Sequence, residues 1–216
     1  MKKVPKFNVP AWPIGIVLIA LGVVFITKSA FGVSSVVAPA YVIHLKVSQY
    51  LPWYTFGTSE YILQGFLLMV MCVVIRRFRW RYLLSFGTSV IYGVVLDLWF
   101  RLFGTEAYAS MPARCVSFAA GALISSLAIA FLFRTRLPQQ VYELFVKEVS
   151  QRYKLKMNKF KLVYDLSSLA VAVALALIFS RSLNGIGAGT IICAVVNAPL
   201  IAMFGKALDK VFDFSQ

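Results

Sequence analysis

Six apolar stretches, each long enough to cross a bilayer, constrain this chain more than any other feature. They cover residues 13–32, 57–75, 82–104, 115–133, 162–180 and 185–205. A helix needs about 20 apolar residues to cross the hydrocarbon core, so six such spans use most of the 216 residues. Only 14% of residues are charged, against about a quarter in soluble domains. The sequence therefore predicts an all-α polytopic membrane protein, with residues 1–216 as a single membrane domain.

The distribution of Lys and Arg predicts how the spans are oriented. If the N-terminus is inside, 17 of these residues fall on the inner side and 5 on the outer side. The inner residues include Lys2, Lys3 and Lys6, which precede a first span without a convincing cleavage site. The positive-inside rule then places both termini in the cytoplasm. Because the basic residues are spread over short connections instead of forming one patch, we expect no nucleic-acid partner.

Two segments, residues 33–52 and 137–158, do not read as spans. The first is short and is interrupted by Pro39, which favours a re-entrant or interfacial helix on the outer side. The second is amphipathic: its apolar face carries Val141, Leu144, Phe145 and Val149, and its polar face carries Glu143, Lys147 and Gln151. We expect it to lie along the inner leaflet, where its basic residues would meet anionic lipid headgroups. A partner protein is the alternative use of this surface.

An internal repeat relates the two halves of the chain. An offset of 106 pairs Gly15 with Gly121 and Lys28 with Arg134, and an offset of 102 pairs Gly87-Thr88 with Gly189-Thr190. Repeat one covers about residues 13–104 and repeat two about 115–205, each in the order span, broken segment, span, span. Since three crossings are an odd number, the second repeat must be inverted relative to the first, as in many secondary transporters.

Residues 134–206, "RTRLPQQVYELF" through "NGIGAGTIICAVVNAPLIAMFGK", resemble the YczE/YyaS/YitT family of bacterial membrane proteins. The stretches "TKSAFGVSS", "FGTSEYILQ" and "FGTSVIYGVVLDL" of the first half are similar too. The resemblance implies a multi-pass protein of the bacterial cytoplasmic membrane. It also implies an acidic residue after the proline matched by Pro138, where this chain has Gln139 and Gln140.

Charged residues within or beside the spans are candidates for a substrate or ion pathway, because a charge at the bilayer centre costs about 2.5–3.5 kcal/mol. Asp97 lies well inside its span, and Lys28 and Glu60 lie near the same outer boundary, so the three could form an outer cluster. On the inner side, Asp165 could meet Arg134 or Lys161. The alternative is that these side chains extend to the interface with wet tips.

Uncharged polar residues and glycines add a second group of candidates. Gln64 and Asn197 lie within spans and would either bond across helices or face a cavity. With them, a lining for a small polar solute would include Ser34, Ser35, Thr88 and Thr190. The structural glycines are Gly87, Gly185, Gly187 and Gly189. The last three allow either close approach of a neighbouring helix or an unwound start to span six.

The sequence favours transport over catalysis. It contains no nucleophile motif, no phosphate-binding loop and no Cys/His spacing typical of metal ligands, so we expect no enzyme activity, catalytic residue, metal or other cofactor. The leading interpretation is a small secondary transporter for a small polar or ionic solute. The alternative is a non-autonomous membrane subunit or scaffold that binds substrate or recruits a partner. A homo-oligomer and a partner subunit both remain open.

Overall fold

A computed structural model describes residues 8–135 and 137–212. The secondary-structure elements of these residues are all helices. The helices are α1 (Asn8–Lys28), α2 (Ala38–Val47), α3 (Phe56–Ile75), α4 (Arg81–Phe103), α5 (Met111–Arg134), α6 (Val141–Arg152), α7 (Met157–Ser180) and α8 (Ala188–Val211). Six of them, all but α2 and α6, are long and apolar enough to cross a membrane. The predicted all-α polytopic membrane protein is confirmed, with span ends moved by a few residues.

The basic residues Lys2, Lys3, Lys6 and Arg136, which contribute to the charge argument, lie outside the described residues. Half of the other 18 basic residues lie in or beside two connections, within residues 76–81 and 152–161. We call the end of the bundle that carries these connections the basic end. The connections at residues 29–37, 48–55 and 104–110 form the opposite end.

Local signals set the helix boundaries. The Thr55 side chain accepts a hydrogen bond from the Thr58 N–H and so caps the start of α3. Ser110 caps α5 in the same way, by accepting from the Ala113 N–H. Arg76 and Arg181 take left-handed backbone conformations that end α3 and α7. These ends produce the short connections that keep successive spans antiparallel neighbours.

The two halves of the chain, α1–α4 and α5–α8, pack in the same way. Helix α4 packs on α1 and on α3, just as α8 packs on α5 and on α7. The halves meet along α1 and α5, and each short helix crosses to the other half, α2 onto α7 and α6 onto α3. Such reciprocal packing of the two short helices is expected if a two-fold axis relates the halves.

Contacts between individual residues of α1 and α5 agree with the predicted offset of 106 between the two halves. A Cβ at Gly15 would lie 2.8 Å from the Leu132 side chain, and one at Gly121 would lie 2.8 Å from the Ile26 side chain. Leu132 and Ile26 are separated by the same 106 positions as Gly121 and Gly15. Because the start of α1 meets the end of α5, the two helices run antiparallel, so the second half is inverted relative to the first.

The short helices α2 and α6 both begin inside the bundle and end at its surface. Pro39 and Ala40 of α2 are buried, whereas Tyr50, just beyond its end, is exposed. Gln140 and Val141 at the start of α6 are buried, whereas Arg152 at its end is exposed. Both segments are therefore inserted between the spans.

This insertion corrects the expectation that residues 137–158 lie along a leaflet surface. The apolar face is buried as predicted, since Val141 and Val149 are both in the core. The polar face was assigned incorrectly at Glu143, which is only 3% exposed. The reason is that α6 packs on α3, α4 and α7, so the first turn of its polar face also meets protein.

Candidate functional site

Gln64 of α3 lies at the centre of a buried hydrogen-bond network. Its Oε1 accepts from the Ser89 hydroxyl of α4 at 2.5 Å and from the backbone N–H of Val141 at 3.1 Å. Its Nε2 donates to Glu60 at 3.3 Å and to the Gln140 side-chain oxygen at 3.4 Å. The network therefore holds the inserted start of α6 against both α3 and α4. Gln64 was predicted as a pathway residue, and it shares a cluster with Glu60.

Three carboxyl groups are buried around this network. Glu60 of α3 and Asp165 of α7 are fully buried, and Glu143 of α6 is nearly so. Glu143 interacts electrostatically with both of the others, so the three belong to one site, which we call the acid cluster. The cluster joins α3 of the first half to α6 and α7 of the second.

One buried cation, Lys161, serves the acid cluster. Its Nζ lies 2.5 Å from Asp165 Oδ1, and its charge also acts on Glu143. This pairing confirms the predicted contact of Asp165 with Lys161 and leaves Arg134 to another partner. Among the residues that the structure describes, Glu60 forms no ion pair. The cluster therefore carries more acid than base.

Several buried polar atoms in and around the cluster have no hydrogen-bond partner of good geometry among the described residues, although Tyr142 and Glu60 lie close enough to interact. They are Glu60 Oε1, Tyr92 Oη, Gln140 Nε2, Tyr142 Oη, Glu143 Oε2 and Asp165 Oδ2. More than nine in ten buried polar groups in proteins are satisfied, so six orphans in one region are unusual. The atoms are suited to hold protons or to contact a ligand.

The pKa of Glu143 is shifted toward neutral pH. Burial raises the pKa of its carboxyl from the ordinary 4.5 to about 7, Lys161 opposes the rise, and Asp165 adds to it. Between these two values the folded protein binds more protons than the unfolded chain. The contribution of Glu143 to stability therefore falls as pH rises from 4.5 to about 7 and is then constant.

We expect the Glu143→Gln variant to lose this part of the pH dependence. Its thermal unfolding midpoint in detergent, followed by tryptophan fluorescence from pH 5 to pH 8, should fall less with rising pH than that of the unmodified protein. Glu106→Gln, which removes an exposed carboxylate, is the matched control and should not change the slope. Equal slopes in all three proteins would show that Glu143 titrates normally.

The predicted outer cluster of Lys28, Glu60 and Asp97 does not form, because each side chain has separate partners. Asp97 accepts from the Thr55 hydroxyl at 2.6 Å and from the Gly57 N–H at 2.9 Å, so it caps the start of α3. Lys28 donates to the carbonyl oxygens of Phe103 and Gly104 at 2.6 and 3.1 Å, so it caps the end of α4.

Arg134, the repeat partner of Lys28, lies at the end of the equivalent helix of the second half. It forms a two-bond ion pair with Asp209 of α8 at 2.6 and 2.7 Å. Lys28 and Arg134 each secure the last turn of the fourth helix of their own half. Both therefore hold neighbouring helices together, Lys28 as a cap and Arg134 through an ion pair.

The uncharged candidates divide between the two ends of the bundle. Thr88 donates to the Pro138 carbonyl at 3.1 Å, just before α6. Its repeat partner Thr190 accepts from the Gly187 N–H at 3.2 Å and lies against Gly32, just before α2. Ser34, Ser35 and Asn197 are buried. Of these candidates, Gln64 bonds to Glu60 of the acid cluster, and Thr88 bonds to the segment just before α6.

The glycines before α8 serve close approach, and Gly87 does not. A Cβ at Gly187 or Gly189 would collide with the Phe31 backbone, and one at Gly185 would collide with the Tyr41 ring. Gly185 also has a φ of +82°, a conformation that favours glycine. Residues 185–187 are not helical, which confirms the unwound start of span six. Nothing lies within 4 Å of a Cβ at Gly87, so close approach of a neighbour does not explain the glycine there.

Sequence reasoning missed Glu143 as a member of the site, and with it the contribution of Gln140 and Tyr142, whereas Lys161 was named only as a possible partner of Asp165. The available signal was the pair Gln139-Gln140 directly before an amphipathic helix. Two amides at that point are costly to bury unless bonded. Gln139 is in fact buried and donates to the Leu132 carbonyl at 2.6 Å.

A family model described as a family of unknown function (DUF6198) matches residues 8–206. The chain belongs to DUF6198. The match spans both halves of the DUF6198 fold, including α2, α6 and every member of the acid cluster. No curated protein and no solved structure matches the chain. The resemblance of this DUF6198 chain to the YczE/YyaS/YitT family stays a prediction.

Among the described residues of the DUF6198 chain, no group of three or more His, Cys, Asp or Glu side chains is arranged to hold a metal ion. The three carboxyl groups of the acid cluster instead lie among tyrosine, glutamine and lysine side chains. The carboxyl groups of this arrangement can bind and release protons in a buried environment. When ionised, they can also neutralise the charge of an organic cation.

Proposed function

We propose that this protein is a secondary transporter in which the acid cluster exchanges protons for a small polar or ionic solute as the two halves move. The observation that carries the proposal is the placement of Glu60, Glu143 and Asp165. Three carboxyl groups and one lysine are buried between α3 of the first half and α6 and α7 of the second half. Buried ionisable groups between inverted repeats are typical of transport pathways.

The short helices support the same proposal. Both α2 and α6 start inside the bundle, and broken elements of this kind form the central sites of transporters built from inverted repeats. A cleft of about 570 Å³ at the basic end is lined by residues of α5, α6, α7 and α8, among them Lys161. This cleft gives the acid cluster a route toward one side of the membrane.

We further propose the bacterial cytoplasmic membrane as the location, with the basic end in the cytoplasm. The proposal rests on the charge distribution, because Arg76, Arg77, Arg79 and Arg152 line one surface cavity at that end. Anionic lipid headgroups would neutralise such a surface, at about 1 kcal/mol per basic residue.

The test uses purified protein in liposomes that contain a pH-sensitive dye. A pH gradient is imposed, and proton flux is measured with and without each member of a panel of organic cations, anions and neutral solutes. At least one solute should increase the flux, and Glu60→Gln should reduce this increase by about tenfold or more. Glu106→Gln, with a similar change of charge at an exposed site, should keep it.

Two results would count against the transporter. One is solute-coupled flux that persists in a folded Glu60→Gln protein, checked by its elution as a single species. The other is an absence of solute-coupled flux for the whole panel, together with constant co-purification of an ATPase. That second result would favour a non-autonomous subunit.

A further inference from the structure

An apolar groove runs between α3 and α7 on the side of the bundle that faces lipid. Its walls include Phe66 and Val70 of α3 and Val163 of α7, and its volume is about 480 Å³. Phe66 and Val163 are each 60% exposed, so the mouth of the groove opens toward the hydrocarbon core. Both short helices pack against α3 and α7 and form its floor.

Three aromatic rings stack along the floor of the groove. Phe145 of α6 lies 5.4 Å from Tyr164 and 6.4 Å from Phe160 of α7, measured between ring centroids. All three residues line the groove. Aromatic faces attract organic cations, and the attraction is stronger where water is excluded.

The acid cluster lies directly behind this floor. Tyr142 lines the groove, and its buried hydroxyl lies beside the Glu60 carboxyl group. Tyr164 lines the groove as well and interacts with Glu143 and Asp165. These two tyrosines therefore separate the apolar groove from three buried carboxyl groups and Lys161.

We propose that the groove binds a lipophilic organic cation, with its apolar groups between α3 and α7 and its charge against Tyr142 and Tyr164, which separate the groove from the acid cluster. This inference rests on the proposed function and names its substrate class. A cavity of this volume is in the usual range for small-molecule sites, roughly 300–1,000 Å³. An anion of the same shape would lie next to three buried carboxyl groups whose one cation among the described residues, Lys161, is paired with Asp165. A neutral lipid chain would bring no charge to the aromatic floor or to the acid cluster behind it.

The test compares two probes of matched shape and opposite charge, tetraphenylphosphonium and tetraphenylborate. Equilibrium dialysis with purified protein in a neutral detergent at pH 8 should show saturable binding of the phosphonium. The borate should bind at least about tenfold more weakly, which corresponds to about 1.4 kcal/mol. Glu60→Gln should weaken phosphonium binding by about tenfold or more, Leu63→Trp should do so by filling the groove, and Glu106→Gln should leave it unchanged.

Equal binding of the two probes, or unchanged phosphonium binding in Glu60→Gln, would overturn the inference. A phospholipid chain that co-purifies with the protein and is not displaced by the phosphonium would also overturn it, since the groove would then be a lipid site. Proton flux driven by another solute without phosphonium binding would reject this inference alone. Phosphonium binding without solute-coupled flux would instead reject the transporter.

Discussion

Replacing Lys161 by methionine is expected to destabilise the protein by about 3–5 kcal/mol at pH 8. The substitution removes the cation that pairs with Asp165, whose carboxyl group is fully buried 2.5 Å from Lys161 Nζ. It also removes the charge that offsets Glu143. Thermal unfolding in detergent, followed by tryptophan fluorescence, should show a large fall in the unfolding midpoint. The fall should be smaller at pH 5, where the carboxyl groups take up protons more easily.

Two further variants show whether the effect comes from an unpaired buried charge. The double variant Lys161→Met/Asp165→Asn should recover most of the stability, because no unpaired aspartate is left. Asp209→Asn breaks the ion pair with Arg134, in which the aspartate side chain is 57% exposed, and should cost less than about 1 kcal/mol. If Lys161→Met and Asp209→Asn lowered the stability by similar amounts, the buried ion pair would contribute no more to stability than the exposed one, which would contradict this prediction.

The second large effect is expected at Gly57. A Cβ at this position would collide with the Gly93 carbonyl oxygen of α4 and lie 2.6 Å from an Asp97 carboxylate oxygen. The obstacle is backbone, so α3 and α4 must separate, and Gly57→Ala should cost about 3 kcal/mol or more, at the upper end for overpacking. The same measurement of the unfolding midpoint applies.

Gly87→Ala is the matched control, since nothing lies within 4 Å of its Cβ position on α4. Alanine favours helix over glycine by about 1 kcal/mol, so this variant should be as stable as the unmodified protein or more so. A stable Gly57→Ala protein would mean that α3 and α4 do not approach at this glycine.

The spans and the repeat could be predicted from sequence because both depend on local composition. Apolar length defines each span, and the pairs at offsets 106 and 102 lie on equivalent helices that make equivalent contacts. Lys28 and Arg134, paired by the repeat, do bind the last turns of equivalent helices, Lys28 through backbone carbonyls and Arg134 through the Asp209 side chain. The interaction of each with a particular helix end could not be read from sequence, because that partner lies about 75 residues away.

The acid cluster was only partly predictable. Glu60, Gln64 and Asp165 stand out as polar residues inside apolar spans. Glu143 does not, because the helical pattern of α6 is that of a surface helix, and its burial depends on α3, α4 and α7 packing around it. Asp97 stands out equally well, yet its depth is explained by the start of α3, which is close in space and distant in sequence.

The most direct test of the inverted arrangement is the side of the membrane from which α2 and α6 are reached. In a protein whose Cys72, Cys115 and Cys193 are replaced, single cysteines at Tyr50 and Arg152, both exposed, are treated in intact cells with a membrane-impermeant maleimide. We predict that Tyr50→Cys reacts from outside and that Arg152→Cys reacts only after permeabilisation. Reaction of both cysteines from the same side would contradict the inverted halves and the transport proposal built on them.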